Sequence, residues 1–380
     1  MDPLSLDPDV FATSIESYHP EIRDFFCEGK KDFSNYDSVS QGEIGDCWLL
    51  GPIAALSRTS RLRGLLQDIF TINSADKTYS VVLYDERHVA SASAPSANAI
   101  ASANAIASAN AIAPAPATAA SAAPATAASA ATTPAPNAPA PGSASKTFTI
   151  DGTLLYIPKV GTYKADLLFG GQQQFIPEKK TLTLKSLWFA FIEKAVSVKL
   201  GGYHKLDGGD PDIDPSKVKQ ADVGFKILTG RPVTTIIIDA ATDFSKTIRE
   251  LLASGAAIVY TTKTNAEIVA EAEEGTARTI KAKPEADDDK SGMNLLEDHV
   301  YVVDTISRDG VVQLYNPHGE FPKTTAQNKA NPLSQADAIL FGKRLDIIPV
   351  IGGGTRRRQR RTRNGKQIRM RRRLTHRLKN

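Results

Sequence analysis

Between Ala90 and Ser145 the chain is written almost entirely in alanine, serine, asparagine, threonine and proline. The hexamer Ser-Ala-Asn-Ala-Ile-Ala starts at Ser96, Ser102 and Ser108, and Pro-Ala-Thr-Ala-Ala-Ser-Ala starts at Pro116 and again at Pro124. Alanine favours helix, but the prolines interrupt it, and no charged or large side chain is present to pack. A segment with so little to bury cannot offset its ordering entropy, so a disordered, semi-extended insertion is expected. A sticky or glycosylated stalk is the alternative reading. Any core must therefore be assembled from the residues before Ala90 and those after Ser145.

Enough sequence remains for that. The chain has 380 residues, 41% of them hydrophobic, which supports one or two substantial cores. Its cysteines are Cys27 and Cys47, too few for a disulfide framework, so a reducing, cytoplasmic setting is expected. No run is long and apolar enough to span a membrane, and Met1-Asp2-Pro3 does not begin a secretory signal pattern. The net charge of +4 conceals an asymmetry. Arg356 to Asn380 holds eleven arginines, two lysines and no acid, so this tail carries +13 and the remainder −9. Residues 351–380 read as a disordered arginine-rich tail without aromatics. Phosphate or acidic-surface contact suits it, and base stacking does not, so nucleic acid or an acidic partner is the ligand class implied. A merely solvated terminus is the plainer alternative.

The stretch that carries chemistry is Gln41-Gly42-Glu43-Ile44-Gly45-Asp46-Cys47-Trp48-Leu49-Leu50. It reads as a glycine-rich turn running into an apolar helix, with Asp46 as N-cap and Ile53, Ala54 and Leu56 continuing the apolar face. A thiol at a helix N-terminus meets unpaired N–H groups and the positive end of the dipole, and both favour thiolate. Gln41 stands six residues upstream, close enough for its amide to point where the Cys47 N–H points, as two donors for an oxyanion. From position alone, a buried and inert cysteine fits equally well. Pro52 falls early in the helix, where its ring crowds the Trp48 carbonyl and a kink is expected.

Elsewhere the pattern is coarser. Asp9 to Phe26 is read as a short helix broken at Pro20, and Tyr79 to Tyr84 as a strand. Ordered sequence resumes at Thr147-Phe148-Thr149-Ile150-Asp151, and an apolar helix over Leu187 to Ala195 stops at Gly201-Gly202-Tyr203. Thr234 to Ile238 and Ala256 to Thr261 look like buried strands. Asn265 to Met293, rich in Ala, Glu and Lys, looks like an exposed loop or hairpin extension. Asp298-His299-Val300-Tyr301-Val302-Val303 is a strand with a histidine at its start, and Val311 to Tyr315 is a second strand ending in Asn316-Pro317-His318-Gly319. Alone, such a histidine is more often structural than catalytic.

Read together, these segments resemble the calpain family of papain-like cysteine proteases. The first stretch matches Q-G-x-x-G-D-C-W-L-L over ten consecutive positions. Trp188 to Tyr203 resembles W-x-x-x-x-E-K-A-x-x-x-x-G-x-Y, with one residue more before the glycine, and the later strands resemble G-H-x-Y-x-V and N-P-W-G, Tyr301 included. The resemblance spans roughly Asp37 to Pro322 and implies an α+β fold, a papain-like two-lobed cysteine protease core. The first lobe would be 1–209, interrupted by the insertion at 90–145, and the second 210–350, with the change of lobe near Gly208-Gly209. It implies Cys47 as nucleophile, His299 as general base, Asn316 as its orienting partner and Gln41 at the oxyanion hole, acting on protein or peptide substrates. A degenerate binding module, or another thiol acyl transfer on the same scaffold, are the rival functions.

Two positions depart from the family. His318 stands where a tryptophan covers the His–Asn hydrogen bond, and Asp298 stands where a glycine precedes the histidine, placing a negative charge beside the base. The calcium-binding pattern is also thin. Glu320 is the lone carboxylate near the Asn-Pro motif before Asp337, and Asp37 the lone acid before Ser38-Val39-Ser40. Calcium takes six to eight oxygens, several usually carboxylate, so no metal or other cofactor is expected. Nothing past Val350 reads as a β-sandwich or an EF-hand.

Overall fold

The helix that begins at Cys47 is the hub. This helix, α1 (Cys47–Arg58), is apolar on every face, and every residue from Trp48 to Ser57 is buried. A helix without a polar face must be covered all round, and three groups of elements do so. One side rests on a six-stranded antiparallel sheet, another on two helices, and the end near Arg58 on the short helix that comes next in the chain. The structure is a computed structural model. It describes residues 16–18, 33–34, 36, 39, 41, 44–73, 76, 78–88, 143–158, 165–167, 175–176, 181–182, 187–202, 205–208, 220–272, 279–280, 295–317 and 331–350. The insertion up to residue 142, the tail, Cys27, Asp37, His318 and Glu320 lie outside these residues.

Among the described residues the chain order is β1 (Glu16–Tyr18), α1, α2 (Arg63–Ile69), β2 (Phe70–Asn73) and β3 (Thr78–Tyr84). Then come β4 (Ser145–Asp151), β5 (Leu154–Pro158), β6 (Ala165–Leu167), β7 (Phe175–Ile176), β8 (Thr181–Leu182), α3 (Trp188–Leu200) and α4 (Ala221–Thr229). The last part holds β9 (Thr234–Ile237), α5 (Phe244–Ser254), β10 (Ala257–Thr262), α6 (Asn265–Glu271) and β11 (Val300–Ile306). It closes with β12 (Val312–Tyr315), β13 (Asn331–Leu333), α7 (Gln335–Phe341) and β14 (Gly342–Ile348). The fold is mixed α+β with antiparallel sheets. The six-stranded sheet has the order β13-β12-β11-β10-β14-β9, a smaller sheet is β2-β3-β4, and β1 pairs with β5 at the edge of a third. No described helix is long and apolar enough to cross a membrane.

Close approach depends on glycine at two points. A Cβ on Gly51 would lie 2.6 Å from Val300 Cγ1, so this glycine lets α1 sit directly on β11. A Cβ on Gly224 would run into the Trp48 carbonyl and come 3.0 Å from Pro52 Cγ, so α4 lies equally close on another face of α1. Pro52 donates no hydrogen bond to that carbonyl, yet α1 continues unbroken to Arg58. The expected kink does not interrupt the helix.

The base of the insertion is a hairpin. Tyr84 pairs with Ser145 across β3 and β4, and Asp85 N–H donates to the Ala144 carbonyl at 2.9 Å. Ser145 is thus already strand, and the ordered sequence resumes slightly before Thr147. Three further readings are corrected. Glu16–Tyr18 is a strand paired with β5, not part of a helix, because its partner lies far along the chain. Asn265–Glu271 is a helix, not a loop, closed by a capping box between Thr264 and Glu267. Thr234–Ile237 forms an edge strand, so Ile237 is 64% exposed and not buried. The strand at Ala257–Thr262 is buried throughout, as its apolar run implies.

Candidate active site

Cys47 is the first residue of α1, where the chain leaves the Gly45-Asp46 turn. That turn is fixed from outside. Trp48 Nε1 donates to the Leu206 carbonyl at 2.7 Å, and Gly208 N–H donates to the Gly45 carbonyl at 2.8 Å. The first turn of helix is wound on the Asp46 carbonyl, which accepts from Leu49 and Leu50. Asp46 holds the N-cap position but its side chain makes no capping bond. Its carboxylate acts on the thiol instead, and in the direction opposite to the one expected of this helix start.

The thiol itself is not held as thiolate. Cys47 is half-buried, and loss of hydration around its sulfur pushes the thiol up to about 12. The charges of Asp46 and Asp298 push the same way, whereas hydrogen bonding from the Val300 and Trp48 backbone pulls it down. The N–H stabilisation read from the sequence is therefore present and outweighed, because desolvation of an anion is the larger effect. The Val300 contact also locates the sulfur: it lies against the residue next to His299.

His299 and Asn316 are brought together as the sequence suggests. Antiparallel pairing of β11 with β12 sets Val302 opposite Tyr315, so the residues just outside the paired ends converge. His299 Nε2 faces Asn316 Oδ1 at 2.8 Å, and both residues are buried. A carbonyl oxygen only accepts, so Nε2 carries the proton and a neutral ring keeps its lone pair on Nδ1. The ring of Tyr301 stands edge-on to the imidazole, centroids 4.8 Å apart and planes at 81°.

Two residues fix the turn before β11. Tyr301 Oη accepts from Leu296 N–H at 2.8 Å. Thr262, at the end of β10, accepts from His299 N–H at 2.9 Å through Oγ1 and donates to the Leu296 carbonyl at 2.7 Å. Nothing in the sequence singles out Thr262, which sits in an apolar strand and gains its meaning only from the β10–β11 pairing. Asp298, within this turn, adopts φ 42°, in the left-handed region. Glycine takes that conformation freely and aspartate is among the residues that tolerate it. Burial raises the Asp298 carboxyl above its ordinary range, while Lys343 and Arg344 oppose that rise.

Gln41 is buried beside the same group. Its backbone N–H donates to the Pro317 carbonyl at 2.6 Å, so it sits next to Asn316. Its side-chain Nε2 donates to the Ile44 carbonyl at 2.6 Å, which commits one amide hydrogen to the turn before the cysteine. The strap is completed by Tyr315 Oη donating to the Val39 carbonyl at 2.6 Å and by Tyr36 packing edge-on against Tyr315. All four residues expected at the site therefore lie on one connected set of elements. Among the described residues, no group of three or more His, Cys, Asp or Glu side chains is arranged to hold a metal ion.

No protein-family model matches the chain, and a search of curated proteins returns no match.

Proposed function

We propose that the chain is a calpain-like cysteine endopeptidase, with a papain-like two-lobed core that cleaves protein or peptide substrates through Cys47, His299 and Asn316. One observation carries the reading: the buried 2.8 Å His299–Asn316 pair stands beside the residue that contacts the Cys47 sulfur. In this reading His299 Nδ1 takes the thiol proton as Cys47 attacks the peptide carbonyl. The imidazolium then protonates the leaving amine, and the imidazole next activates a water that hydrolyses the thioester to a carboxylic acid. The Cys47 N–H and the remaining amide hydrogen of Gln41 steady the oxyanion. In the resting site, burial and the charges of Asp46 and Asp298 favour the thiol over the thiolate. Neither calcium nor another cofactor takes part.

The test is covalent labelling with a thiol-reactive peptide epoxide, mapped by mass spectrometry, beside casein turnover. Label on Cys47, loss of both signals in Cys47→Ala, and near-complete loss of turnover in His299→Ala support the reading. Asn316→Ala retains a residue of activity, because it orients the base and moves no proton. Equal loss from Cys27→Ala would refute the assignment. The raised thiol favours one second reading, a catalytically silent module that binds peptides in the same place. Peptide binding without labelling or turnover in the wild type would select it.

A further inference from the structure

We infer that Thr262 is a positioning residue for His299, acting through its hydroxyl; the inference rests on the peptidase reading above. His299 is the last residue before β11, so its backbone is not yet held by the regular ladder. What holds it is the neighbouring strand. Thr262 N–H donates to the His299 carbonyl at 3.0 Å, and Thr262 Oγ1 accepts from His299 N–H at 2.9 Å. The same hydroxyl hydrogen goes to the Leu296 carbonyl at 2.7 Å. One side chain thus satisfies both the amide of the base and a carbonyl three residues before it.

That matters because the turn it closes is strained. Asp298 holds φ 42° in the middle of it, in the left-handed region that L-residues seldom adopt. Tyr301 Oη ties Leu296 from the other side, and its ring packs edge-on against the His299 imidazole. Thr262 is fully buried, so water cannot replace the hydroxyl. Without it, His299 N–H and Leu296 C=O lose their shared partner, the turn relaxes, and the imidazole moves relative to Cys47 while Asn316 still reaches Nε2. A displacement on the order of 1 Å costs up to about 100-fold in rate.

The experiment compares Thr262→Ser, Thr262→Ala and Thr262→Val in the full chain. Serine keeps the hydroxyl; alanine differs from serine in the hydroxyl alone; valine is the isostere. Alanine and valine are expected to lower kcat about tenfold or more with KM nearly unchanged, and serine to stay within about threefold of wild type. Should valine fail to fold, the serine–alanine pair decides. Alanine matching serine would overturn the inference, and so would a loss confined to KM. A second readout needs no turnover: the ¹⁵N shifts of the His299 ring, expected to move in alanine and hold in serine. An inactive but folded wild type would sink the peptidase reading, and the ring shifts would still judge Thr262.

Discussion

Gly51→Ala tests the contact on which the site depends. The added methyl would lie 2.6 Å from Val300 Cγ1, against an ordinary carbon–carbon separation of about 3.5–4.0 Å. Roughly 1 Å must therefore be found by moving α1 away from β11 or by turning Val300. The next atom, Val300 Cβ at 3.5 Å, leaves the helix little room to slide instead. Overpacking of this kind costs about 1–3 kcal/mol, while replacing a mid-helix glycine by alanine returns up to about 1 kcal/mol. Stability should thus fall by no more than about 3 kcal/mol. Activity should fall much further, since about 1 Å between the proposed nucleophile and base is worth on the order of 100-fold. Thermal melts and kcat/KM on one peptide substrate separate the two effects. Adding Val300→Ala removes the clashing methyl and should recover much of the lost rate, even though its small cavity costs further stability. Wild-type turnover in Gly51→Ala, or no recovery in the double variant, would refute the reasoning.

Two other outcomes rest on particular residues. Deleting residues 90–141 and joining the ends with a short Gly/Ser turn should leave turnover intact and raise stability by about 1–2 kcal/mol through loop closure. The reason is that Asp85 and Ala144 are already hydrogen-bonded at 2.9 Å; precipitation or lost activity of the deletion would count against it. Asp346 is fully buried and its carboxyl is pushed up to about 6 by desolvation, against the pull of Arg344 and Thr235. A folded pKa above the unfolded one means that its stabilisation is complete below about pH 4 and is lost as pH rises through about 6. Denaturant unfolding should show this as a decline of up to about 3 kcal/mol across that window, a slope that Asp346→Asn should flatten and that would be unchanged if the group were not the cause.

Legibility in the sequence depends on whether the signal is local. Cys47 can be found because the turn, the cap position and the apolar helix are contiguous, and the same holds for the strand that begins after His299. The Asn265–Glu271 helix is equally local. Thr264 and Glu267 form a capping box with the spacing such a box requires, but the charged composition of the longer segment suggests a loop. β14 is not legible at all. Lys343, Arg344 and Asp346 do not read as a central strand, yet Arg344 and Asp346 are buried there. They are admitted because Arg344 pairs with Asp346 at 2.9 Å and with Asp222 of α4 at 3.2 Å. Buried charge tolerated through a partner more than a hundred residues away leaves no trace in local periodicity.

The protonation of the thiol runs against its local sequence for a related reason. The helix start, with its N–H groups and dipole, favours thiolate by itself, and Asp46 beside it opposes that. What reverses the balance is burial under a strand from the far end of the sequence: β11 is laid on α1 at Gly51, and Asp298 comes with it. Glycine inside an apolar helix reads as a defect costing about 1 kcal/mol. Here Gly51 and Gly224 meet neighbours at distances no larger residue permits without displacing them. The same close packing that brings His299's strand to Cys47 strips the sulfur of water. A site built this way gains proximity and loses resting thiolate together, so variants that loosen α1 from β11 should make Cys47 easier to alkylate and poorer at turnover. Gly51→Ala is expected to show both in one preparation, and faster alkylation with faster turnover would break that link.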